Sequence, residues 1–286
     1  MLGRIKGPLF GILLFLSSFL GIIFLTCWSI PVFFLRPKFY RQFLDACLGW
    51  WECFCAALLE HLLGIKVVIS GDEIQHGERS IIMMNHRTCL DWMYFWSVLV
   101  RTGSTFTEKI ILKSDPKRLP GAGWAMQCGA FIFLQRKWEK DKMILTDMLD
   151  YFTNLKHKTQ ILLFPEGTDF SKKSKQRSDA FAEKNSLPYY EYVLHPRTTG
   201  FTFLATEMHR RDMLDAIYDV SIAYPKDFPC KELELLSGHT PQEVHFRIKR
   251  YSIDEVDVSE EGLENWCRCR WAEKEEQLKT YYEQTR

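Results

Sequence analysis

An uninterrupted apolar run lies near the start of the chain, where residues 8–35 carry no charged side chain. A helix needs about 20 consecutive apolar residues to cross a bilayer, so this run is long enough. A cleaved signal peptide is the alternative, but the run is long for a signal sequence and no Ala-x-Ala cleavage pattern follows it. Basic residues flank it on both sides, so the positive-inside rule gives only a weak preference for a cytosolic C-terminal side. The sequence predicts a retained membrane anchor.

A second apolar stretch, residues 43–63, includes Asp45, Glu52, Glu60 and His61. Charged side chains at this frequency are costly at the centre of a bilayer. Two interpretations remain open. One is an interfacial or re-entrant helix that holds the protein against the membrane, which the acids and a pair of tryptophans favour. The other is an ordinary buried helix of the following domain.

The composition narrows the functional class. The 286 residues are 47% hydrophobic, enough for one large domain with appendages, and the net charge of +1 argues against a nucleic-acid-binding protein. The nine cysteines are scattered, which indicates a reducing cytosolic environment instead of a disulfide framework. Cys53-x-Cys55 and Cys267-x-Cys269 lack the usual zinc spacing. The sequence therefore predicts no metal site.

Beyond residue 64, short apolar runs alternate with helix-like and turn-rich segments. This pattern predicts an α/β domain with a mixed β-sheet flanked by helices. We expect a membrane anchor and interfacial helix at 1–64, the main globular domain at 65–260, and a C-terminal amphipathic helix at 261–286. The predicted strands are 65–69, 80–84, 131–134, 161–164, 219–224 and 243–249. Residues 138–155 have helical periodicity, and 110–120 reads as a turn-rich link.

The strand at 80–84 ends in Asn85-His86, and Asp91 opens a helix-like segment five residues after the histidine. Residues five apart on one α-helix point about 140° away from each other. His86 and Asp91 therefore meet only if His86 lies in the turn and Asp91 in the first helical turn. Thr88 and Asp91 also fit a capping box. The alternative is that Asp91 only caps the helix and His86 is an ordinary core histidine.

Four short segments of the chain match the motifs of one enzyme family, in the same order. Asn85-His86-x-x-x-x-Asp91 resembles the first motif of the glycerolipid acyltransferase family, the lysophosphatidate acyltransferase-like enzymes. Residues 131–136 (FIFLQR) are similar to its second motif, 164–168 (FPEGT) to its third, and 194–200 (LHPRTTG) to its fourth. The sequence around these motifs, over roughly residues 20–283, is also similar to the lysocardiolipin acyltransferase branch of this family.

This resemblance implies transfer of an acyl group from acyl-CoA to a hydroxyl of an anionic lysophospholipid. His86 is then the general base, and Asp91 orients its imidazole. Cys89 is the alternative nucleophile, although nothing in the sequence indicates a lowered thiol pKa. Substrate binding is implied for five positions of the later motifs: Arg136, Glu166, Gly167, Thr168 and Pro196.

These five positions differ in how well their residue types suit substrate binding. Arg136 suits phosphate recognition, because its planar guanidinium donates two parallel hydrogen bonds. We expect Glu166 to orient Arg136 or to bind a head-group hydroxyl, and Gly167 to offer its backbone N–H. Pro196 leaves open a purely structural fourth segment. The basic run at 172–177 is typical of a solvated loop, with contact to lipid or CoA phosphates as the second interpretation.

The expected partners are acyl-CoA as co-substrate, an anionic lysophospholipid and the bilayer, with no further cofactor and no nucleic acid. We expect an integral protein of the endoplasmic reticulum membrane, with a mitochondria-associated membrane as the second location. Acylation of lysophosphatidate, or a lipid-binding scaffold with an inactive site, are the alternative functions. Proteins of the resembled branch usually continue into C-terminal hydrophobic segments, so this chain is expected to be a shortened form.

Overall fold

The computed structural model describes residues 3–102 and 104–285. Two long helices come first, and seven strands alternate with helices after them. The helices are α1 (Gly3–Leu35), α2 (Pro37–Ala57), α3 (Asp91–Thr102), α4 (Ala122–Cys128), α5 (Trp138–Leu155), α6 (Lys172–Lys184), α7 (Thr198–Arg210), α8 (Glu232–Leu236) and α9 (Glu260–Thr285). The strands are β1 (Lys66–Gly71), β2 (Ser80–Met84), β3 (Glu108–Lys113), β4 (Ile132–Leu134), β5 (Gln160–Leu163), β6 (Ala216–Ala223) and β7 (Glu243–Ser252).

The strands form one mixed sheet in the order β1-β7-β6-β2-β5-β3-β4. Strands β2 to β6 run parallel, and β7 is antiparallel to β6. The central strand β2 is buried over its whole length, as expected for a strand covered on both faces. Ile82 and Met84 contribute to one hydrophobic cluster, and Ile81 and Met83 to the other. The predicted α/β fold with a mixed sheet and flanking helices is confirmed.

Two segments differ from their predicted structure. Residues 108–113 form β3, although 110–120 was expected to be a link, because the buried charges of Glu108 and Lys109 interrupt the apolar pattern of the strand. Residues 172–177 belong to α6, so the predicted loop is wrong there. Ser171 caps this helix and accepts a hydrogen bond from the Ser174 N–H at 3.2 Å.

The helix α2 combines both interpretations of residues 43–63. Its acids point into the protein, contrary to the expected position at a membrane interface: Asp45 accepts hydrogen bonds from Arg41 at 3.0 Å and from Lys109 at 2.8 Å. The opposite face exposes Phe39, Phe43, Trp50 and Phe54. Helix α2 is therefore both a buried helix and the carrier of an exposed aromatic face.

The helix α1 contains the one candidate membrane span among the described residues, Ile5–Leu25, by length and composition. Its first half packs along the domain. A Cβ on Gly7 would lie 2.5 Å from the Leu236 carbonyl oxygen, so only glycine allows this approach to the end of α8. Phe10 is 1% exposed, and the Trp51 indole donates to Ser17 Oγ at 3.0 Å. Most exposed large apolar side chains of the described chain lie on α1 and α2.

Candidate active site

The carboxyl ends of the parallel strands bring the four sequence segments together at one edge of the sheet. His86 follows β2, Arg136 follows β4, and Glu166 follows β5. The fourth segment reaches the same edge, because the Arg197 N–H donates to the Pro165 carbonyl at 2.8 Å. Loops at this edge are the usual place for ligand binding in open α/β sheets.

Asn85 explains how the chain leaves the sheet at His86. Its fully buried side chain continues the ladder toward β6: Nδ2 donates to the Ile222 carbonyl at 3.1 Å, and Oδ1 accepts from the Ile222 N–H at 2.8 Å. The side chain takes over the pairing that the backbone would otherwise provide. The backbone of the next residue is then free to turn and present His86.

The His86 Nδ1 lies 2.9 Å from Asp91 Oδ2. The same oxygen accepts the backbone N–H groups of Arg87 at 2.6 Å and Thr88 at 3.0 Å. Asp91 begins α3, so the geometry is the predicted one, with the histidine in the turn and the acid in the first helical turn. Capping and orienting were alternatives in the sequence. The structure assigns both contacts to one carboxylate.

The sequence did not indicate Tyr224, which contacts the second carboxylate oxygen of Asp91. Its hydroxyl donates to Asp91 Oδ1 at 2.5 Å, and both side chains are buried. Burial and the neighbouring Asp91 charge raise the pKa of Tyr224 well above its usual value, so it remains a donor. The available signal was its place at the end of the predicted strand 219–224, the same position that the other site residues occupy.

The His86 ring lies at the edge of this buried group. Its side chain is 16% exposed, and the Phe164 ring packs on it with centroids 4.2 Å apart. In the described part of the chain, Nε2 has no hydrogen-bond partner. If Nδ1 carries the proton toward Asp91, Nε2 has the lone pair that a base requires.

Arg136 and Gly167 contact each other directly. Arg136 adopts a positive φ of 61°, an uncommon conformation that costs free energy outside glycine. Its Nη2 donates to the Gly167 carbonyl at 3.2 Å. The Gly167 N–H is already used, because it donates to the Phe164 carbonyl at 2.9 Å. The expectation that Gly167 offers a free N–H is therefore wrong.

Glu166 is 3% exposed and forms no ion pair with the exposed Arg136, contrary to the first expectation, and its contact with a head-group hydroxyl stays a prediction. Neither carboxylate oxygen has a hydrogen-bond partner. Burial raises the pKa of Glu166 to about 8, although the nearby Lys274 and Arg87 charges favour the ionised form. At neutral pH the group is then largely a neutral acid beneath the His86 turn.

The remaining predicted positions contribute in different ways. Thr168 Oγ1 donates to Asp169 Oδ1 at 3.3 Å, which leaves its role in substrate binding a prediction. Pro196 is buried and lies beside Arg197, where the fourth segment joins the third. The Cys89 thiol donates to the Cys230 carbonyl at 3.2 Å and burial raises its pKa to about 12, which disfavours Cys89 as a nucleophile.

The C-terminal helix supports the site from behind, which the sequence did not indicate. Glu275, 7% exposed, accepts the backbone N–H groups of Glu191, Tyr192 and Val193, the last two at 2.9 and 3.0 Å. These residues lead directly into the fourth segment. The fully buried Lys274 donates to the Val220 carbonyl. Helix α9 therefore contacts both the loop before the fourth segment and the middle of β6.

A metal site is not evident in the described residues: no three His, Cys, Asp or Glu side chains lie close enough to hold an ion. The prediction that no metal takes part stays a prediction. The two Cys-x-Cys pairs do not form disulfides, since Cys53, Cys55, Cys267 and Cys269 are free thiols.

Comparisons with known proteins agree with this arrangement. The Acyltransferase family model matches residues 66–225, and the Acyltransferase C-terminus model matches residues 234–286. Lysocardiolipin acyltransferase 1 of Gallus gallus is 50% identical over 278 residues, covering 97% of this chain and 74% of that protein. Lysophosphatidylinositol acyltransferase 10 of Caenorhabditis elegans is 41% identical over 286 residues, covering 99% and 73%.

A solved structure shares the fold. The crystal structure of the 1-acyl-sn-glycerophosphate (LPA) acyltransferase PlsC from Thermotoga maritima superposes with a TM-score of 0.57, at 18% identity, and covers 93% of this chain and 96% of that one. By the family models and the relatives together, the chain belongs to the acyltransferase family that includes lysocardiolipin acyltransferase 1.

Proposed function

We propose that the protein transfers an acyl group from acyl-CoA to a free hydroxyl of an anionic lysophospholipid at a membrane. The observation that carries this proposal is the His86–Asp91 contact of 2.9 Å at the carboxyl end of β2. A thioester is already activated, so attack by an alcohol needs a base but no covalent enzyme intermediate. The high pKa of Cys89 favours this direct route.

In this mechanism His86 Nε2 accepts the proton of the lysolipid hydroxyl while that oxygen attacks the thioester carbonyl carbon. Asp91 holds the Nδ1–H tautomer and stabilises the imidazolium that forms. Tyr224 and the two backbone N–H groups fix the carboxylate, so the ring is oriented before substrate binds. Collapse of the tetrahedral intermediate then releases CoA as the thiol after it regains the proton from His86.

An apolar cavity between α1, α2, α3 and α4 supports an acyl-chain site. Its lining includes Leu14, Trp51, Trp92 and Phe131. Trp92 directly follows Asp91, and Phe131 begins the segment that ends at Arg136. An acyl chain buried there would extend from the neighbourhood of the base.

The acceptor is assigned by class. The relatives are named for lysocardiolipin and for lysophosphatidylinositol, and both lipids contain a phosphate beside the glycerol that receives the acyl group. Arg136 lies at the same sheet edge as His86 and suits that phosphate. We propose lysocardiolipin or a related phosphodiester lysolipid as the acceptor, with lysophosphatidate as the second candidate. The proposed location is the endoplasmic reticulum membrane or membranes associated with mitochondria.

The test is an acyl-transfer assay with labelled acyl-CoA and a panel of lysophospholipids in mixed micelles. We expect activity in the parent and none in His86→Ala, whose melting temperature should stay near the parental value because the ring is at the edge of the core. A parent that binds these lipids but transfers no acyl group would contradict the proposal and favour the scaffold alternative.

A further inference from the structure

The turn after β5 has a second arginine beside it that neither the motif analysis nor the chemistry above uses. Arg197 donates its backbone N–H to the Pro165 carbonyl at 2.8 Å, which fixes its position next to this turn. A Cβ built on Gly167 would lie 3.3 Å from Arg197 Cδ, 3.5 Å from Nε and 3.8 Å from Cζ. The Arg197 side chain therefore extends across the open face of Gly167.

Arg136 contacts the same glycine, with Nη2 3.2 Å from the Gly167 carbonyl oxygen. Both arginines are exposed. Gly167 has a φ of 70°, so a side chain there would be strained and would also press against Arg197. The glycine thus keeps open the space between two guanidinium groups.

Neither guanidinium has a carboxylate partner within residues 3–102 and 104–285. Two cations beside one residue repel each other without a counter-charge, and this repulsion is relieved when an anion binds between them. Helix α7 begins at Thr198, so its first backbone N–H groups add partial positive charge near the same turn. The site also lies close to the base, because Phe164 of this turn packs on the His86 ring at 4.2 Å.

We propose that Arg197 and Arg136 together bind one phosphate group of the lysolipid acceptor, across Gly167. Two guanidiniums on one phosphate give more donors than a single arginine supplies, and they fix the phosphate in orientation as well as in position. The inference rests on the proposed acyl transfer, and it names the residue that completes the acceptor site. The phosphates of acyl-CoA are the other source of the same chemistry.

The experiment measures KM for each substrate separately, with lysophosphatidylglycerol as the single-phosphate acceptor. Arg197→Ala should raise the acceptor KM about tenfold or more, as expected for a charge-assisted contact, and leave the acyl-CoA KM near the parental value. Arg197→Lys should recover only part of the affinity. Arg247→Ala is the matched control, because it removes an equally exposed positive charge from β7, the antiparallel strand of the sheet.

The double variant Arg136→Ala/Arg197→Ala tests whether both side chains contact the same phosphate. Shared contact predicts a KM that differs clearly from the product of the two single increases. The inference is overturned if Arg197→Ala behaves like Arg247→Ala, if only the acyl-CoA KM rises, or if the two effects simply multiply. If Arg197→Ala proves unstable, Arg197→Gln provides the same charge loss with a longer side chain. A parent without acyl transfer would contradict the proposed function instead, since the KM comparison requires an active parent.

Discussion

The Asp91 carboxylate accepts hydrogen bonds from four groups: His86 Nδ1, the Arg87 and Thr88 N–H groups and the Tyr224 hydroxyl. In Asp91→Asn, an amide NH₂ would face at least one of these donors in a buried position. We expect kcat to fall on the order of 10²–10⁴-fold, by analogy with other His–Asp pairs. We also expect a loss of about 1–3 kcal/mol in the free energy of unfolding.

Enzyme kinetics and chemical denaturation of Asp91→Asn and His86→Ala check this prediction side by side. Both variants should lose activity, whereas Asp91→Asn alone should lose substantial stability. A stable, fully active Asp91→Asn protein would contradict the orienting role and leave helix capping as the only role of Asp91.

Tyr224→Phe removes one donor from Asp91 without changing the ring. The carboxylate then holds the imidazole less firmly, so kcat should fall about tenfold or more while acceptor KM stays near the parental value. Tyr218→Phe is the matched control: this buried tyrosine lies on β6, the strand that ends just before Tyr224, and donates to Glu78, away from His86. Equal kcat values for the two variants would contradict a positioning role for Tyr224.

The buried Glu166 makes stability depend on pH. Its pKa rises from 4.5 to about 8 on folding, so between these values the folded state retains a proton that the unfolded chain releases. Its contribution to stability is therefore lost as the pH rises through this window. From about pH 5 to 8 the melting temperature of the parent should fall more steeply than that of Glu166→Gln. If the melting temperatures of the two proteins changed in parallel with pH, this titration would be excluded.

At this scale the sequence indicated the proposed catalytic pair better than the residues that surround it. His86 and Asp91 follow from a strand, a turn and a helix start that lie within a few residues of each other. Tyr224 and Glu275 come from distant parts of the chain, and only the sheet order brings them to the same edge. The expected pairing of Glu166 with Arg136 failed because Glu166 is buried in the core, whereas Arg136 is exposed after another strand.

At the scale of elements, α9 holds the loop that carries the fourth segment. Glu275→Gln would leave fewer acceptors for three backbone N–H groups, so residues 191–193 and the following Arg197 should be held less firmly. We expect a raised acceptor KM, with a smaller effect on kcat. Glu276→Gln is the control, since Glu276 is the exposed neighbour on the same helix.

Hydrogen exchange provides an independent measurement of the same contact. The amides of residues 191–193 should exchange faster in Glu275→Gln than in Glu276→Gln. Unchanged protection would show that other contacts hold the loop. The domain division at residue 260 stays a prediction, although the Glu275 contacts tie this helix closely to the site.

The strand at 80–84 was predictable from its uninterrupted apolar run, and the helix at 138–155 from its helical periodicity. The strand β3 was not, because Glu108 and Lys109 at its start are fully or nearly fully buried and read as surface residues. Their environment is set by α2 and α3: Lys109 Nζ donates to Asp45 of α2 at 2.8 Å, and Glu108 accepts the indole N–H of Trp96 of α3 at 3.1 Å. A local pattern cannot indicate charges that are paired across the fold.

For the whole molecule, the packing of α1 restricts how the protein sits in a membrane. Gly7 contacts the end of α8, and the chain returns to the domain at β1 after α2. Both ends of this helical hairpin therefore lie on the domain side. We expect attachment through the exposed faces of α1 and α2, with resistance to alkaline extraction.

A tag at the N-terminus should be accessible from the same side as the catalytic domain in selectively permeabilised cells. Accessibility from opposite sides would favour a full crossing by α1, and release by alkaline carbonate would contradict insertion altogether. A processed protein that lacks about 30 N-terminal residues would favour the signal-peptide alternative.

The exposed apolar side chains of α1 and α2 also determine which measure of lysolipid concentration controls the reaction rate. An enzyme and a lysolipid in one bilayer meet by lateral diffusion, so the rate should follow the mole fraction of lysolipid in the surface. Adding inert phospholipid at constant total lysolipid should therefore slow the proposed acyl transfer. Surface dilution is therefore the appropriate kinetic framework for this protein.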